Sequence, residues 1–196
     1  MIEEQANEVV VRYLNRVKRG VDSFIISEVL GLTEQLLKAR SRGATVLLAG
    51  NGGSASTVNH YAIDWMLGSE IENPPLRVVS LSESVSSVTA TGNDKAFEKV
   101  FSRQVERLGT AGDLLVLVSA SGNSVNLIEA AETAKQLGVF VVAITGFSGG
   151  KLKGLADLSV HVSTQTGDYG VAEDLHLALG HMVKELLIRE VRDARY

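Results

Sequence analysis

The stretch from Leu47 to Thr57, LLAGNGGSAST, combines three local signals: the end of an apolar run, a cluster of glycines, and the start of a helical pattern. The apolar run, Ala44 to Ala49, has the length and composition of a buried strand. A glycine-rich turn before a helix lets the backbone approach an anion, and the helix dipole favours negative charge. The stretch therefore predicts a strand, a phosphate-binding turn and a helix, with Ser54 as its N-cap residue.

A second unit of the same design lies in the middle of the chain, from Leu114 to Ser124, LLVLVSASGNS. Its turn offers three hydroxyls and several backbone N–H groups at a predicted helix start, but no lysine or arginine. Phosphate binding there would depend on neutral donors and on the helix dipole. Either loop alone is also compatible with an ordinary serine- and glycine-rich turn, whereas two such loops on one sheet favour a phosphate site.

Neither loop has the sequence of a nucleotide-binding motif. The Lys-Ser/Thr pair that ends a Walker A loop is absent, and the segment Gly50 to Gly53 lacks the G-x-G-x-x-G spacing of a dinucleotide site. Kinase and dehydrogenase functions are therefore disfavoured, and we expect no nucleotide cofactor.

The chain alternates apolar runs with helical patterns, which predicts a single α/β domain over residues 1–196. We expect a doubly wound, Rossmann-like sheet of five mostly parallel strands with right-handed crossovers. The predicted strands lie at about 44–49, 76–81, 114–118, 139–145 and 158–162. Because such sheets bind ligands at the carboxyl ends of their strands, both loops can serve one site.

Two extra helices precede the first strand, one over about residues 3–18 and one from Asp22 or Ser23 to about Arg42. Each has a broad apolar stripe, which needs a partner surface. The stripes either cover one face of the sheet or form an interface between subunits. We predict that the helices at about 1–42 form the oligomer interface, and covering the sheet is the alternative role.

The composition limits the partners and cofactors. The net charge is −4, and no apolar run approaches the roughly 20 residues that span a bilayer. We therefore expect a soluble cytoplasmic protein that binds neither nucleic acid nor membranes directly. The sequence has no cysteine, so any metal must be bound by histidine together with carboxylate or amide oxygens.

Candidate catalytic groups lie on the helix that follows the first loop. His60 and Asp64 are four residues apart, which places them on one face of the helix, about 6 Å apart along its axis. They either bind a metal, act as an acid/base pair, or form an ordinary exposed pair.

The last predicted helix, which starts at Tyr169 or Ala172, carries further ionisable groups. Glu173 and His181 are eight residues apart, about 12 Å along a regular helix, so one ion could not easily bind both. Either the helix begins after Glu173, or the two residues act in different copies of the site across an interface. His161 is expected to be a strand residue without a special role.

Several of these features together resemble the sugar isomerase (SIS) fold, and within it the phosphoheptose isomerases. They are Gly50–Ser54 with His60 downstream, Gly92–Asp94, Ser119–Ser124, and a last helix with His181. The resemblance covers nearly the whole chain, including the two leading helices. It implies a homotetramer with active sites at subunit interfaces, zinc in many members, and a role in heptose biosynthesis.

The resemblance also implies roles for individual residues. The sugar phosphate would be bound by Asn51, Gly52, Gly53, Asn93, Asp94, Ser119, Ala120, Ser121, Ser124 and Glu173. One zinc ion per site would be bound by His60, Asp64, Glu173 and His181, and the acid/base residues would be Asp64 and His181.

This chain departs from the family pattern at three positions: Asp64 replaces Glu, Glu173 replaces Gln, and Ala120 replaces the usual Thr. The carboxylate of Asp64 sits roughly 1.5 Å further back than that of a glutamate, a shift large enough to affect proton transfer. Glu173 adds a negative charge. Two histidines with two carboxylates still suit Zn²⁺.

The implied reaction converts sedoheptulose 7-phosphate to D-glycero-D-manno-heptose 7-phosphate through an enediol. Asp64 is the expected base, because a carboxylate is ionised at neutral pH. His181 is expected to move a proton between the substrate oxygens, because imidazole titrates near neutral pH. A bound metal would polarise the carbonyl group.

Two alternative functions share the fold. The segment Thr145 to Leu152, TGFSGGKL, is also similar to a group of non-catalytic SIS tetramers that bind the bacterial replication initiator. His181 favours the isomerase, because the initiator-binding group lacks a histidine there. A sugar-phosphate-binding regulator is the other alternative, although such domains usually come fused to a further domain.

Overall fold

A computed structural model describes residues 2–67 and 73–193 of the chain. The helices of this part are α1 Ile2–Val21, α2 Ile26–Ser41, α3 Gly53–Met66, α4 Val85–Asp94, α5 Ser102–Leu108, α6 Val125–Gln136, α7 Gly150–Leu155 and α8 Tyr169–Asp193, with a 3-10 turn at Phe97–Lys99. The strands are β1 Thr45–Gly50, β2 Arg77–Ser80, β3 Leu114–Ser119, β4 Phe140–Thr145 and β5 Leu158–His161. Among these described helices, none is both long and apolar enough to cross a membrane.

The described strands form one sheet in the order β2-β1-β3-β4-β5, and each neighbouring pair is parallel. This confirms the predicted doubly wound α/β fold, with a sheet that is entirely parallel. The register places Gly50 of β1 beside Val118 of β3. The two glycine- and serine-rich loops therefore begin side by side at one edge of the sheet.

Each face of the sheet packs against its own layer of helices, because alternate residues of a strand point to opposite faces. Val46 and Leu48 of β1 belong to a core with α2, α3 and α8. Leu47 and Ala49 belong to the opposite core, with α5, α6 and α7. All four side chains are fully buried, so the continuous apolar run is explained by burial on both faces.

The two leading helices differ in what they cover. Leu32 and Leu36 of α2 are fully buried in the sheet core, as the covering role requires. On α1, apolar side chains are more than half exposed at Val9, Val10, Val11 and Leu14. α1 is attached instead to the start of α8, where the Tyr13 hydroxyl donates to the Asp174 carboxylate at 2.6 Å. The apolar face of α1 thus stays open in the single chain.

The predicted start of the second helix is wrong. α2 begins at Ile26, and neither Asp22 nor Ser23 caps it. The Ser23 hydroxyl instead accepts a hydrogen bond from the backbone N–H of Ser163 at 3.1 Å. This long-range contact ties the turn between α1 and α2 to the chain after β5, and no local pattern predicts it.

The packing of α3 against α8 positions the ionisable groups of both helices. The Trp65 indole N–H donates to the carbonyl of Gly180 at 3.1 Å, and the Tyr61 hydroxyl donates to the carbonyl of His176. The rings of Tyr61 and Trp65 stack with centroids 4.5 Å apart. Gly180 permits this approach, because a Cβ at that position would overlap the Tyr61 ring.

Candidate active site

A cavity of about 260 Å³ lies at the carboxyl ends of β1 and β3. Its lining residues are Asn51, Gly52, Gly53, Ser54, Val118, Ser119, Ala120, Ser121, Ser124, Tyr169 and Glu173. Most of these were predicted to bind the sugar phosphate. Sequence analysis missed Ser54, Val118 and Tyr169, although the first two directly adjoin predicted residues in the chain. Tyr169 carried no signal beyond its place at a helix start.

Backbone geometry shapes both loops of the cavity. Gly52 has a φ of 54° and acts as the N-cap residue of α3, so Ser54 lies in the first turn and is not the predicted cap. Gly122 has a φ of 63° and packs so closely on Gly149 that a Cβ would overlap its carbonyl. A left-handed φ is costly for other residues, so these turns require glycine. Both α3 and α6 begin at the cavity, because their N-cap residues, Gly52 and Ser124, belong to its lining.

Side-chain contacts join the two loops. The amide of Asn51 donates to the Asn126 side-chain oxygen at 2.8 Å, and Asn126 returns a hydrogen bond at 2.9 Å. Asn126 is almost fully buried in the first turn of α6. The pair fixes the start of α3 relative to the start of α6, and therefore the width of the cavity between them.

The described lining of the cavity offers neutral donors and one carboxylate, without lysine or arginine. The Ser119 hydroxyl accepts from the N–H of Gly122 at 3.0 Å, which stabilises the loop itself. Ser124 is the N-cap residue of α6, and its side chain makes no capping hydrogen bond. Its hydroxyl is thus available to a ligand, next to the unpaired N–H groups and the positive dipole end of α6.

A cluster of His60, Asp64 and His181, which we call the His–Asp–His cluster, lies where α3 packs on α8. The two histidine Nε2 atoms are 3.2 Å apart. Oδ2 of Asp64 lies 3.4 Å from Nε2 of His60 and 3.6 Å from Nε2 of His181. The histidine side chains are about half exposed, whereas Asp64 is largely buried. His60 and Asp64 are therefore not simply an exposed pair, because Asp64 is largely buried and His181 is a third member of the group.

Sequence analysis missed a fourth ionisable group at this place, Lys184. Its Nζ donates to Oδ1 of Asp64 at 3.0 Å. Lys184 follows His181 by three residues, so helical periodicity places both on one face of α8. That spacing was the available signal in the sequence. Only the packing of α3 against α8 shows that Asp64 contacts both His181 and Lys184.

The donor set of the cluster fits a zinc ion. Zinc binds imidazole nitrogen at about 2.0–2.1 Å, so neighbouring ligand atoms of a tetrahedral site are about 3.3 Å apart. The three donor–donor separations of the cluster, 3.2, 3.4 and 3.6 Å, lie close to that value. Two imidazoles with a carboxylate are ordinary zinc ligands and leave room for a further ligand.

Glu173 lies apart from this cluster. α8 begins at Tyr169, so the alternative in which the helix starts after Glu173 is wrong. Within the described residues, the group that could hold a metal contains His60, Asp64 and His181 but not Glu173. The Glu173 carboxylate instead packs against Gly53 and lines the cavity. Its action in a different copy of the site stays a prediction.

Asn93 and Asp94 end the exposed helix α4. The Asn93 amide donates to the Asp94 carboxylate at 2.8 Å, and both side chains face solvent. Neither residue is part of the described cavity lining, and α4 buries none of its side chains. The single chain therefore does not bring these two predicted residues to the cavity.

The other two histidines lie away from the cluster. His161 is a strand residue, as predicted, although β5 ends at this residue and not at Val162. Its Nδ1 is 3.0 Å from the Thr145 hydroxyl. Burial lowers the pKa of His161, and nearby Lys153 lowers it further. His176 is fully buried, which lowers its pKa to about 4. His176 is therefore neutral at physiological pH.

Comparisons with known proteins identify relatives of this chain. A family model described as "SIS domain" matches residues 11–146. The probable phosphoheptose isomerase of Thermoplasma acidophilum is 36% identical over 172 residues, which cover 88% of this chain and 93% of that protein. The phosphoheptose isomerase of Akkermansia muciniphila is 39% identical over 166 residues, 85% of each protein.

A solved phosphoheptose isomerase from Neisseria gonorrhoeae superposes with a TM-score of 0.83 at 32% identity, covering 95% of this chain and 98% of that one. The domain match and the fold define a SIS-domain protein. At this identity and coverage, the chain belongs to the phosphoheptose isomerase family and is an isomerase. These relatives do not favour the initiator-binding or regulatory alternatives.

Proposed function

We propose that this isomerase converts sedoheptulose 7-phosphate to D-glycero-D-manno-heptose 7-phosphate through an enediol. One observation carries the proposal: α3 begins in a cavity suited to a phosphate and carries two members of the His–Asp–His cluster further along. A binding site and acid/base groups on one helix are what an aldose–ketose isomerase needs. The names of the relatives supply the substrate class.

In this proposal, the second loop binds the phosphate. The hydroxyls of Ser121 and Ser124 and the N–H groups at the start of α6 donate to its oxygens. Ser119 and Ala120 complete the wall of the cavity. A phosphate bound by neutral donors and a helix dipole needs no lysine or arginine, which agrees with the described lining.

The first loop binds the sugar. The turn at Asn51, Gly52 and Gly53 faces the same cavity, and its backbone donors would hold the sugar hydroxyls. Glu173 borders it and would accept a hydrogen bond from a hydroxyl. Asn93 and Asp94, exposed at the end of α4, would complete a site that involves a neighbouring subunit.

Asp64 and His181 are the proposed acid/base pair. Asp64 takes the proton from the carbon beside the ketone, the electron pair forms the enediol double bond, and the carbonyl oxygen gains a proton. His181 moves the proton between the two substrate oxygens. Reprotonation of the former carbonyl carbon then yields the aldose. The 3.6 Å between Oδ2 of Asp64 and Nε2 of His181 allows both groups to act on adjacent atoms when these two atoms are not bound to a metal.

A zinc ion is the proposed cofactor of the same cluster. His60, His181 and Oδ2 of Asp64 would hold it, with Glu173 as a further ligand from another copy of the site. When bound, zinc would polarise the substrate carbonyl and offset negative charge on its oxygen. The donor separations of the cluster support this assignment.

A homotetramer is the proposed assembly, with residues 1–42 in its interface. The exposed apolar face of α1 supports it. A second apolar surface lies between α2 and α8, as a cavity of about 420 Å³ lined by Phe24, Ile26, Val29, Leu30, Met182, Glu185, Leu186 and Arg189. Burial of such surfaces in an assembly would stabilise it. The cytoplasmic location and the role in heptose biosynthesis stay predictions from sequence.

Turnover of sedoheptulose 7-phosphate tests the proposal directly. The full chain is incubated with substrate in deuterated water, and the product is followed by NMR. We expect the aldose anomeric signals to appear together with deuterium at the carbon that is reprotonated. Absence of both aldose and solvent exchange, with and without added zinc, would exclude this reaction.

A further inference from the structure

Lys184 is an ionisable residue that contacts the His–Asp–His cluster and that the proposed chemistry does not use. It projects from α8 towards α3, where its ammonium donates to Oδ1 of Asp64 at 3.0 Å. The side chain of Lys184 is 30% exposed and that of Asp64 is 12% exposed. A partly desolvated ion pair of this kind is stronger than one on the open surface.

The two oxygens of Asp64 therefore face different partners. Oδ1 faces the Lys184 ammonium, whereas Oδ2 faces the Nε2 atoms of His60 and His181. While the ion pair is formed, Asp64 has a single oxygen free for a cation. The ammonium of Lys184 also places a positive charge next to the carboxylate, on the oxygen that does not face the histidines.

We propose that Lys184 is a built-in competitor of the divalent cation: it shares the Asp64 carboxylate with the metal and weakens metal binding. The inference rests on the metal site of the proposed function, but not on turnover. In this role, Lys184 sets how tightly the ion is held. Because the ammonium weakens binding and the two histidines are about half exposed, the ion can exchange with solvent.

Two physical effects act in the same direction. The ammonium repels the cation, and it withdraws negative charge from the only carboxylate of the cluster. The repulsion between an ammonium and a divalent ion on one carboxylate corresponds to about a tenfold loss of affinity even when water screens it. Partial burial reduces the screening and enlarges the effect.

A merely structural role of Lys184 predicts the opposite result. If the ion pair only holds Asp64 in the orientation that the metal needs, removal of the ammonium weakens metal binding. The sign of the change in zinc affinity therefore separates the two roles, and activity need not be measured.

The test compares zinc dissociation constants of the full chain and its Lys184→Met variant, each stripped of metal and titrated against a chromophoric chelator. We expect Lys184→Met to bind zinc about tenfold more tightly, or more. Lys184→Arg keeps the charge and should stay within about threefold of the parent chain. Lys38→Met is the matched control, since Lys38 pairs with Glu34 at 2.7 Å on the exposed side of α2.

Unchanged or weaker zinc binding by Lys184→Met would overturn the inference, as would equal tightening by Lys184→Arg or Lys38→Met. The absence of zinc binding in both the parent chain and Lys184→Met would also overturn it. Lys184→Gln replaces Lys184→Met if circular dichroism shows that the latter does not fold. Since no substrate is present, a tenfold shift supports the inference even if the chain fails to isomerise heptose phosphates.

Discussion

The cavity and the His–Asp–His cluster are built in contrasting ways. The cavity consists mainly of backbone N–H groups, hydroxyls and glycine turns, each within a strand–turn–helix unit that is continuous in sequence. The cluster consists of ionisable side chains from two helices, and His60 and His181 are 121 residues apart. Ligand binding in this fold thus depends on local backbone geometry, whereas the chemistry depends on how α3 packs against α8.

The sharpest way to separate the two regions is to remove the proposed base. Asp64→Asn keeps the shape of the side chain but cannot accept a proton from carbon, so we expect kcat to fall about 10²- to 10⁴-fold. The cavity is untouched, so KM should stay close to that of the parent chain. Steady-state kinetics measures both. A large rise in KM without loss of kcat would assign Asp64 to substrate binding.

His176 tests how acid affects the helix that carries part of the cluster. Burial lowers its pKa to about 4, from about 6.5 in the unfolded chain. The unfolded state therefore binds a proton first as the pH falls, and stability is lost between about pH 6.5 and 4, by up to about 3 kcal/mol. Urea unfolding across this range measures the loss.

His176→Leu provides the comparison for that loss. Neither ring nitrogen of His176 makes a hydrogen bond of normal geometry among the described residues, so leucine removes at most a weak contact with the Thr145 backbone. We expect the variant to lose distinctly less stability between about pH 6.5 and 4 than the parent chain does. Parallel loss in both proteins would show that other groups carry the acid sensitivity.

Gly180→Ala breaks the packing that assembles the cluster. The added methyl group overlaps the Tyr61 ring, and overpacking of this kind costs about 1–3 kcal/mol. We expect a lower free energy of unfolding in urea and weaker zinc binding, because His60 and His181 move apart. Gly154→Ala is the matched control: no atom lies within 4 Å of its Cβ position, so the substitution should be neutral or slightly stabilising.

Ser124→Ala should have the smallest effect of these substitutions, and it tests the cavity, which is proposed to bind the ligand, and not the His–Asp–His cluster. Its hydroxyl lines the cavity and makes no capping bond, so its loss removes a ligand contact without disturbing α6. One neutral hydrogen bond is worth about 1 kcal/mol, so KM should rise about fivefold with kcat nearly unchanged. Ser41→Ala, remote from the cavity, should change neither constant. A fall in kcat alone would contradict a binding role.

The elements of the cavity were predictable because their signals are local. The apolar run before Gly50 and the similar run before Ser119 define β1 and β3, and the structure places both strands as expected. Glycine was needed at position 52 for a left-handed turn, and the sequence has glycine there. The helix starts were less predictable, since Ser23 accepts its hydrogen bond from the distant Ser163.

Sequence by itself determined the parallel sheet, the two loops at its edge, and the pairing of His60 with Asp64 on one helical turn, because each follows from residues that are close along the chain. The resemblance implied that His181 joins this pair, and the packing of α3 against α8 brings the three side chains together. Tertiary structure alone decided that Lys184 takes the second oxygen of Asp64 and that Glu173 lies in the cavity instead. These contacts depend on which faces of α3 and α8 meet. Trp65, Tyr61 and the missing side chain of Gly180 set that packing, over separations that no local pattern encodes.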